Sequence, residues 1–228
     1  MSKMIHQIII SDNNKEIVPA NIDTIKEFFP KFNHVVWDYK KIKNLILKNK
    51  DNYVLEAINS IKPYAFKADI ARYYIVYSFG GWYSDLNNFF VTNPPDQNNE
   101  FIFFRDVQLL TRTSWAVQCS LFYANKGHKI LKYAVNQCID NVNNRYYGGH
   151  ALSPTGPNLF GSVIARDNLP AENSYRIGSM KKNKKDSGFY LENNLFAKYK
   201  PNGLKPSDAG ISGGNNYEKL WLSKNMYN

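Results

Sequence analysis

Acidic side chains are scarce in this chain. There are 19 Asp and Glu against 29 Lys and Arg, a formal net charge of +10. Such a surplus suits an anionic partner, whether nucleic acid, acidic lipid or a phosphate-bearing substrate. No helix-turn-helix, zinc or RNA-motif signature accompanies the charge, so nucleic acid is not the expected partner. The lysines are scattered, apart from Lys181, Lys182, Lys184 and Lys185, which read as a solvated loop. Cysteine is scarcer still. Cys119 and Cys138 stand in neither a CxxC nor a metal-type spacing. They read as buried, reduced thiols, which fits a cytoplasmic protein. Long apolar runs are missing too. None approaches the roughly 18–20 residues that cross a bilayer, so no membrane span is expected. The run from Ile5 to Ile10 holds His6 and Gln7 and leads to no small-residue cleavage site, which argues against a signal peptide. No G-x-S-x-G, P-loop or dinucleotide glycine fingerprint is present. His6, His34 and His128 lack metal-ligand spacing.

What remains is an aromatic-rich chain of 228 residues, a length that suits one domain over residues 1–228. Ile5 to Ile10 is β-branched and reads as a buried first strand. Pro19 to Phe29 has helical spacing, His34 to Trp37 reads as a strand, and Lys40 to Asn49 as an amphipathic helix. Asp51 caps another helix through Ser60. The longest helical pattern runs from Pro63 to Phe79, with Pro63 suited to a first turn and Gly80 to a left-handed stop. Trp82 to Asp85, Phe101 to Phe104 and Val117 to Ala124 read as strands. Helices are expected from His128 to Asp140 and from Thr155-Gly156-Pro157 onward. Beyond Asn168 the chain is loop-rich with short strands. Alternating strands and helices imply an α/β domain with a mainly parallel sheet flanked by helices. Ligands of such sheets sit beyond the carboxyl ends of strands, which singles out Asp85.

The chemistry concentrates between Lys67 and Asn88. Asp69 and Arg72 lie three apart on one helix face. Gly80 and Gly81 permit a tight reversal. Asp85 and Asn87 are two apart, so in extended chain both side chains point the same way and can hold a hard cation such as Mn²⁺ or Mg²⁺. A pyrophosphate leaving group needs a metal and cationic side chains, and sugar and ribose hydroxyls need carboxylate acceptors. This stretch supplies all of them.

The run K-A-D-I-A-R-Y-Y-I-V-Y-S-F-G-G-W-Y-S-D-L-N resembles the signature of DXD-containing glycosyltransferases of the family-32 type. That family includes yeast mannosyltransferases and clostridial glucosylating toxins. I-H-Q-I and V-V-W-D are similar to its first two strands, and A-N-K-G-H-K and T-G-P recur downstream in order. The resemblance spans about residues 4 to 165. It implies the GT-A fold and transfer of a sugar from a UDP- or GDP-sugar donor to a glycan or protein acceptor, with retention of anomeric configuration. It gives Asp85 and Arg72 the catalytic roles. Gln7, Tyr64, Asp69, Arg72, Tyr83, Asp85 and Trp221 become the substrate-binding set, and Asp85 with Asn87 the metal ligands. Two departures stand out. Asn87 replaces the second DXD aspartate, which removes a formal charge from the metal site. Ile9 stands where the family often carries a base-stacking Trp, for which Tyr64 or Trp37 are substitutes. Ser212, Asn215, Asn216 and Trp221 match positions over the pyrophosphate, and His150 is placed on the acceptor side.

Overall fold

The structure is a computed structural model, and it describes residues 3–12, 18–95, 98–166, 175–182, 187–199 and 215–228. Lys184, Lys185 and Ser212 lie outside these residues. Strand β1 (Met4–Ile8) lies between β2 (Asn33–Trp37) and β3 (Gly81–Ser84), parallel to both. Parallel pairing demands crossovers. Helix α1 (Ile22–Phe28) provides the first, and α2 (Tyr39–Lys48), α3 (Asn52–Asn59) and α4 (Tyr64–Phe79) the second. The chain then adds β4 (Asn88–Phe90), β5 (Phe101–Arg105), α5 (Gln108–Thr111), β6 (Leu121–Ala124), α6 (Lys129–Asn143) and α7 (Pro157–Arg166). Strands β7 (Tyr175–Lys181), β8 (Gly188–Leu191) and β9 (Asn194–Tyr199) and helix α8 (Tyr217–Leu222) follow. The described strands form one sheet of order β2-β1-β3-β6-β5-β7-β8-β9-β4.

The sheet is mixed. β1–β2, β1–β3 and β5–β7 are parallel, and β3–β6, β5–β6, β7–β8, β8–β9 and β4–β9 are antiparallel. The expected parallel half is therefore the one that carries β3 and Asp85. The rest of the sheet is antiparallel except at β5–β7, and includes the short strands expected in the tail. The strand expected from Val117 begins at Leu121, and Val117 instead makes an isolated bridge to Arg105. Elements of three or four residues, such as β4 and α5, carry no readable period in the sequence.

Both faces of the central strands are buried, which explains their unbroken apolar runs. On β5, Phe101 and Phe103 face a core shared with α2, α3, α4, α6 and α7, while Ile102 and Phe104 face a second core with α1, β8 and β9. β6 alternates in the same way, Phe122 and Ala124 on the first side, Leu121 and Tyr123 on the second. Helix α4 has no polar stripe because it is enclosed on most sides. Ile70, Ala71, Tyr73, Ile75 and Val76 are all fully buried. It ends at Gly80, whose φ of 68° favours glycine, and Gly81 follows at φ 108°. A Cβ on Gly81 would lie 2.5 Å from the Met4 carbonyl oxygen, so only glycine lets β3 enter the sheet beside β1 at this point. Among the described residues no helix is long and apolar enough to cross a membrane.

His6 joins these parts. It is fully buried on β1, its Nε2 donating to the Gly80 carbonyl (3.0 Å) and its Nδ1 accepting from Trp37 Nε1–H (3.2 Å). That pair of bonds fits a neutral ring. Burial, only partly offset by the Gly80 carbonyl and reinforced by His34, lowers its pKa from 6.5 to about 4.

Gly81 and His6 each give this frame a measurable consequence. Gly81→Ala is expected to cost about 2 kcal/mol or more, read as a lower urea midpoint, because both the φ and the Met4 carbonyl oppose a side chain. For His6 the sign is that of a base with a lowered folded pKa. Its contribution is fully present above pH 6.5 and is lost as the pH falls through about 4. Up to about 3 kcal/mol is at stake. Unfolding curves between pH 7 and 4 should therefore be less acid-sensitive in His6→Gln than in the native chain.

Candidate functional site

The site grows from the buried face of α4. Asp69 and Arg72, one turn apart, are 7% and 5% exposed, and Arg72 Nη2 lies 3.2 Å from Asp69 Oδ1. Arg72 Nη1 reaches the other way, 3.6 Å from Asp85 Oδ1 at the end of β3. It also donates to the Cys119 carbonyl at 2.8 Å, and the guanidinium lies 4.7 Å over the Tyr83 ring. Tyr83 Oη–H donates to Asp85 Oδ1 at 2.6 Å. Thr155 Oγ1–H donates to Asp69 Oδ2 at 2.8 Å, and Gly156 has so little room that a Cβ there would sit 3.4 Å from the same oxygen. The T-G-P triplet thus closes over Asp69. Four of the expected residues, Asp69, Arg72, Tyr83 and Asp85, therefore form one cluster.

Its electrostatics follow from burial. Desolvation pushes the Asp69 carboxyl above the ordinary carboxylate range, against the pull of Arg72 and the Thr155 hydroxyl. Burial also works against the charge on Arg72, but Asp85 first, then Tyr83, Cys119 and Asp69, hold its pKa well above the usual arginine value. The arginine stays charged between two carboxylates. Asp85, with a side chain 35% exposed, is the member that meets solvent.

After Asp85 the chain turns rather than running extended, the Asn88 N–H donating to the Asp85 carbonyl at 3.2 Å. Asn21, fully buried at the start of α1, ties this turn down through Nδ2–H to the Asn88 carbonyl (2.7 Å) and the Asp85 carbonyl (3.3 Å). Gln7 holds Asn21 in place. Its Nε2–H donates to Asn21 Oδ1 at 3.1 Å, and its Oε1 lies 2.9 Å from His34 Nε2. Gln7 is fully buried, so its amide serves the turn through Asn21. Asn21 and Cys119 carry no local signal that sequence reasoning could have used, and Thr155, though part of the T-G-P triplet, carries none that ties it to Asp69.

The oxygens of this turn fit a hard cation. Asn87 Oδ1 and Asn88 Oδ1 are buried with no hydrogen-bond partner among the described residues. An orphaned acceptor of this kind costs about 1–3 kcal/mol unless something fills it. With the part-exposed Asp85 carboxylate they are oxygens of the chemical type that Mn²⁺ and Mg²⁺ take, which makes Asp85, Asn87 and Asn88 the residues that could hold such an ion. Two tyrosines flank the turn. Burial first, then the charges of Asp85 and Tyr217, raise the phenol pKa of Tyr199, and Tyr217 packs 5.7 Å from Phe66 on α4. Neither was singled out in the sequence.

Tyr64 and Trp221 stand apart from the cluster. Tyr64 donates through its hydroxyl to Asp12 Oδ1 at 2.6 Å, just past β1, and through its N–H to Asn215 Oδ1 at 2.7 Å. Trp221 donates to the Tyr147 carbonyl at 2.7 Å, with its ring 6.5 Å from that of His150. Asn216 caps α8, accepting from the Lys219 N–H at 3.0 Å.

Removing Arg72 is expected to expose the cost of the buried carboxylate. Arg72→Met should lose about 3–5 kcal/mol at neutral pH, since Asp69 is left buried and unpaired. The sign with pH is that of an acid with a raised folded pKa: the penalty grows as pH rises above 3.8 and is relieved on acidification, when Asp69 takes a proton. Urea unfolding at pH 7 and pH 5 should show Arg72→Met recovering part of its loss at the lower pH. Asp69→Asn combined with Arg72→Met should recover most of it at both.

Residues 16–103 match the family described as glycosyltransferase sugar-binding region containing DXD motif. An uncharacterized glycosyltransferase of Acanthamoeba polyphaga mimivirus is 35% identical over 88 residues, covering 37% of this chain and 34% of that protein. The chain thus matches about a third of that relative's length. The fold is similar to that of a solved structure, PaToxG Glycosyltransferase, with a TM-score of 0.54 and 18% identity over 73% of this chain and 70% of that one. Sequence match and cluster geometry meet in the same stretch, because the matched residues 16–103 hold Asp69, Arg72, Tyr83 and Asp85.

Proposed function

We propose that the chain is a cytoplasmic, single-domain glycosyltransferase that takes a sugar from a UDP- or GDP-sugar and passes it, with retention and with help from Mn²⁺ or Mg²⁺, to a glycan or protein acceptor. One observation carries the reading: a guanidinium fixed between Asp69 and Asp85, beside a turn whose Asn87 oxygen has no partner among the described residues. The two buried, unpaired thiols are in keeping with a reducing compartment.

Asp85 and Asn87 are the residues that would hold the cation. Bound there, a divalent ion offsets the charge that develops on a departing nucleoside diphosphate. The chain's own groups do the remaining work. Tyr83 and Arg72 fix the Asp85 carboxylate, so its free edge is oriented before donor arrives. Arg72 remains charged and adds a fixed positive potential to the site. Asp69, with both oxygens engaged by Arg72 and Thr155, anchors the guanidinium, and its contact with the donor sugar rests on the family resemblance. Gln7 acts through Asn21 by setting the turn, and the roles of Tyr64 toward the nucleotide and Trp221 toward the pyrophosphate rest on the family resemblance. No side chain is assigned as a nucleophile.

The test is nucleotide binding and donor hydrolysis with Mn²⁺. Asp85→Ala is expected to weaken metal-dependent nucleotide binding by at least about 10-fold to 100-fold, the range that even supporting residues of metal sites command. Equal affinity in the two proteins would remove Asp85 from the site. Asn87 favours a second reading, donor binding without efficient turnover, because an amide oxygen brings no charge to the ion. Asn87→Asp should then raise metal affinity and hydrolysis together. If metal affinity does not move, position 87 is not a ligand.

A further inference from the structure

A cavity of about 530 Å³ opens between α6, α7, the loop at 111–115 and the loop at 146–153. That volume falls within the roughly 300–1,000 Å³ of small-molecule sites. Its lining includes none of Asp69, Arg72, Tyr83, Asp85 or Asn87. The two sites share one wall. Thr155 faces Asp69, while Ser153 and Asn158, on either side of it, face the cavity.

The lining has a definite chemical character. It contains Arg112 and Arg166 and no carboxylate. Neither arginine has an ion-pair partner among the described residues, and the side-chain bonds of Arg166 run to neutral groups, including Gln137 Oε1 at 3.3 Å and Ser162 Oγ at 3.2 Å. Two guanidinium forks without a carboxylate partner suit a phosphate or carboxylate ligand. Trp115 and Tyr146, 50% and 46% exposed, give the opening two flat rings, one face of each being suited to the C–H face of a sugar. Neutral hydrogen-bonding groups complete the set. His150 Nδ1 accepts from the Leu152 N–H at 3.2 Å, which leaves Nε2–H as a donor, and Asn158 and Asn141 bring buried amides. Arg112 closes α5 at φ 56°, ψ 23°, the left-handed conformation that Lys50, Arg145 and Lys224 also adopt just past helices, and one that glycine adopts without cost.

The geometry points to a second ligand site in this cavity, for an anionic saccharide: a sugar bearing a phosphate or a carboxylate. The arginines take the anion, the aromatic rim the ring, and the amides and His150 the hydroxyls. The site stands whether or not the transfer proposed above takes place, because binding to it is read directly.

Calorimetric titration of the full chain tests it, with glucose 6-phosphate, glucuronate, glucose, inorganic phosphate and UDP with Mn²⁺ as probes. Glucose 6-phosphate or glucuronate is expected to bind saturably and at least tenfold more tightly than glucose or phosphate. Arg112→Gly suits the backbone, so the variant should fold at least as stably as the native chain yet lose tenfold or more in affinity for the charged sugar. Arg166→Gln should weaken it likewise, and UDP binding should be unchanged in both. Trp115→Ala should weaken the sugar phosphate several-fold but leave phosphate unaffected. Absence of saturable binding by either charged sugar overturns the proposal. So does inorganic phosphate binding as tightly as the sugar phosphate, or UDP binding that falls with Arg112→Gly, which would make the cavity a nucleotide site.

Discussion

A charged guanidinium buried between two carboxylates is the constraint on which the site depends. Arg72 cannot be neutralised, and a charge in a protein interior is tolerated only when paired and hydrogen-bonded. The fold meets that requirement from every side. Asp69 comes from the same helix, Asp85 from the end of β3, and the Cys119 carbonyl from the segment entering β6, while the Tyr83 ring lies beneath. The arrangement fixes the distance between α4 and two strands of the sheet. It also explains why Asp69 is the strained partner. Asp69 is buried and its carboxyl is pushed toward the neutral form, whereas the Asp85 side chain is partly in water. A single arginine thereby divides the two carboxylates into one that anchors and one that is free to act.

The turn after Asp85 is built on the opposite principle. The Asp85 and Asn88 carbonyls accept from Asn21, and the Asn88 side chain donates through Nδ2 to the Ser120 carbonyl, yet the side-chain oxygens of Asn87 and Asn88 are left buried and unmatched among the described residues. Buried acceptors of this kind are where a cation or an ordered water is accommodated. The buried residues Gln7 and Asn21, with the half-buried His34, form a chain of bonds that holds the Asn88 carbonyl end of this turn.

How much of this could be read in the sequence depended on whether the cause was local. The three-residue spacing of Asp69 and Arg72, the long pattern from Pro63 and the Gly-Gly stop are all local, and each appears where expected. The partners of that pair are not local. Thr155 lies 86 residues from Asp69, and Cys119 lies 47 from Arg72, so no window of sequence holds both members. Gln7 and Tyr83 illustrate the same limit from another side. Their positions were picked out, but whether a side chain faces a ligand or a neighbour depends on what packs above it. Strand direction was also beyond reach. β5 and β6 have the apolar runs of buried parallel strands because both faces are covered, and burial, not direction, is what composition records. The Asp85 turn differs for a similar reason: a bond between the Asn88 N–H and the Asp85 carbonyl reverses the chain where alternation alone would extend it.

The two arginine sites make the logic of the molecule clearer by contrast. Arg72 is surrounded by carboxylates, so it is an element of structure whose charge is already answered, and a ligand gains from it only through the field it maintains and the carboxylate it orients. Arg112 and Arg166 line a cavity with no carboxylate at all. In a chain with ten more cationic than anionic side chains, most cations face water and need no explanation. A pair lining one cavity that holds no carboxylate is different in kind. The loop from Ser153 to Asn158 separates these environments, with Thr155 bound to the anchoring carboxylate on one side and Asn158 amid the cavity's neutral groups on the other.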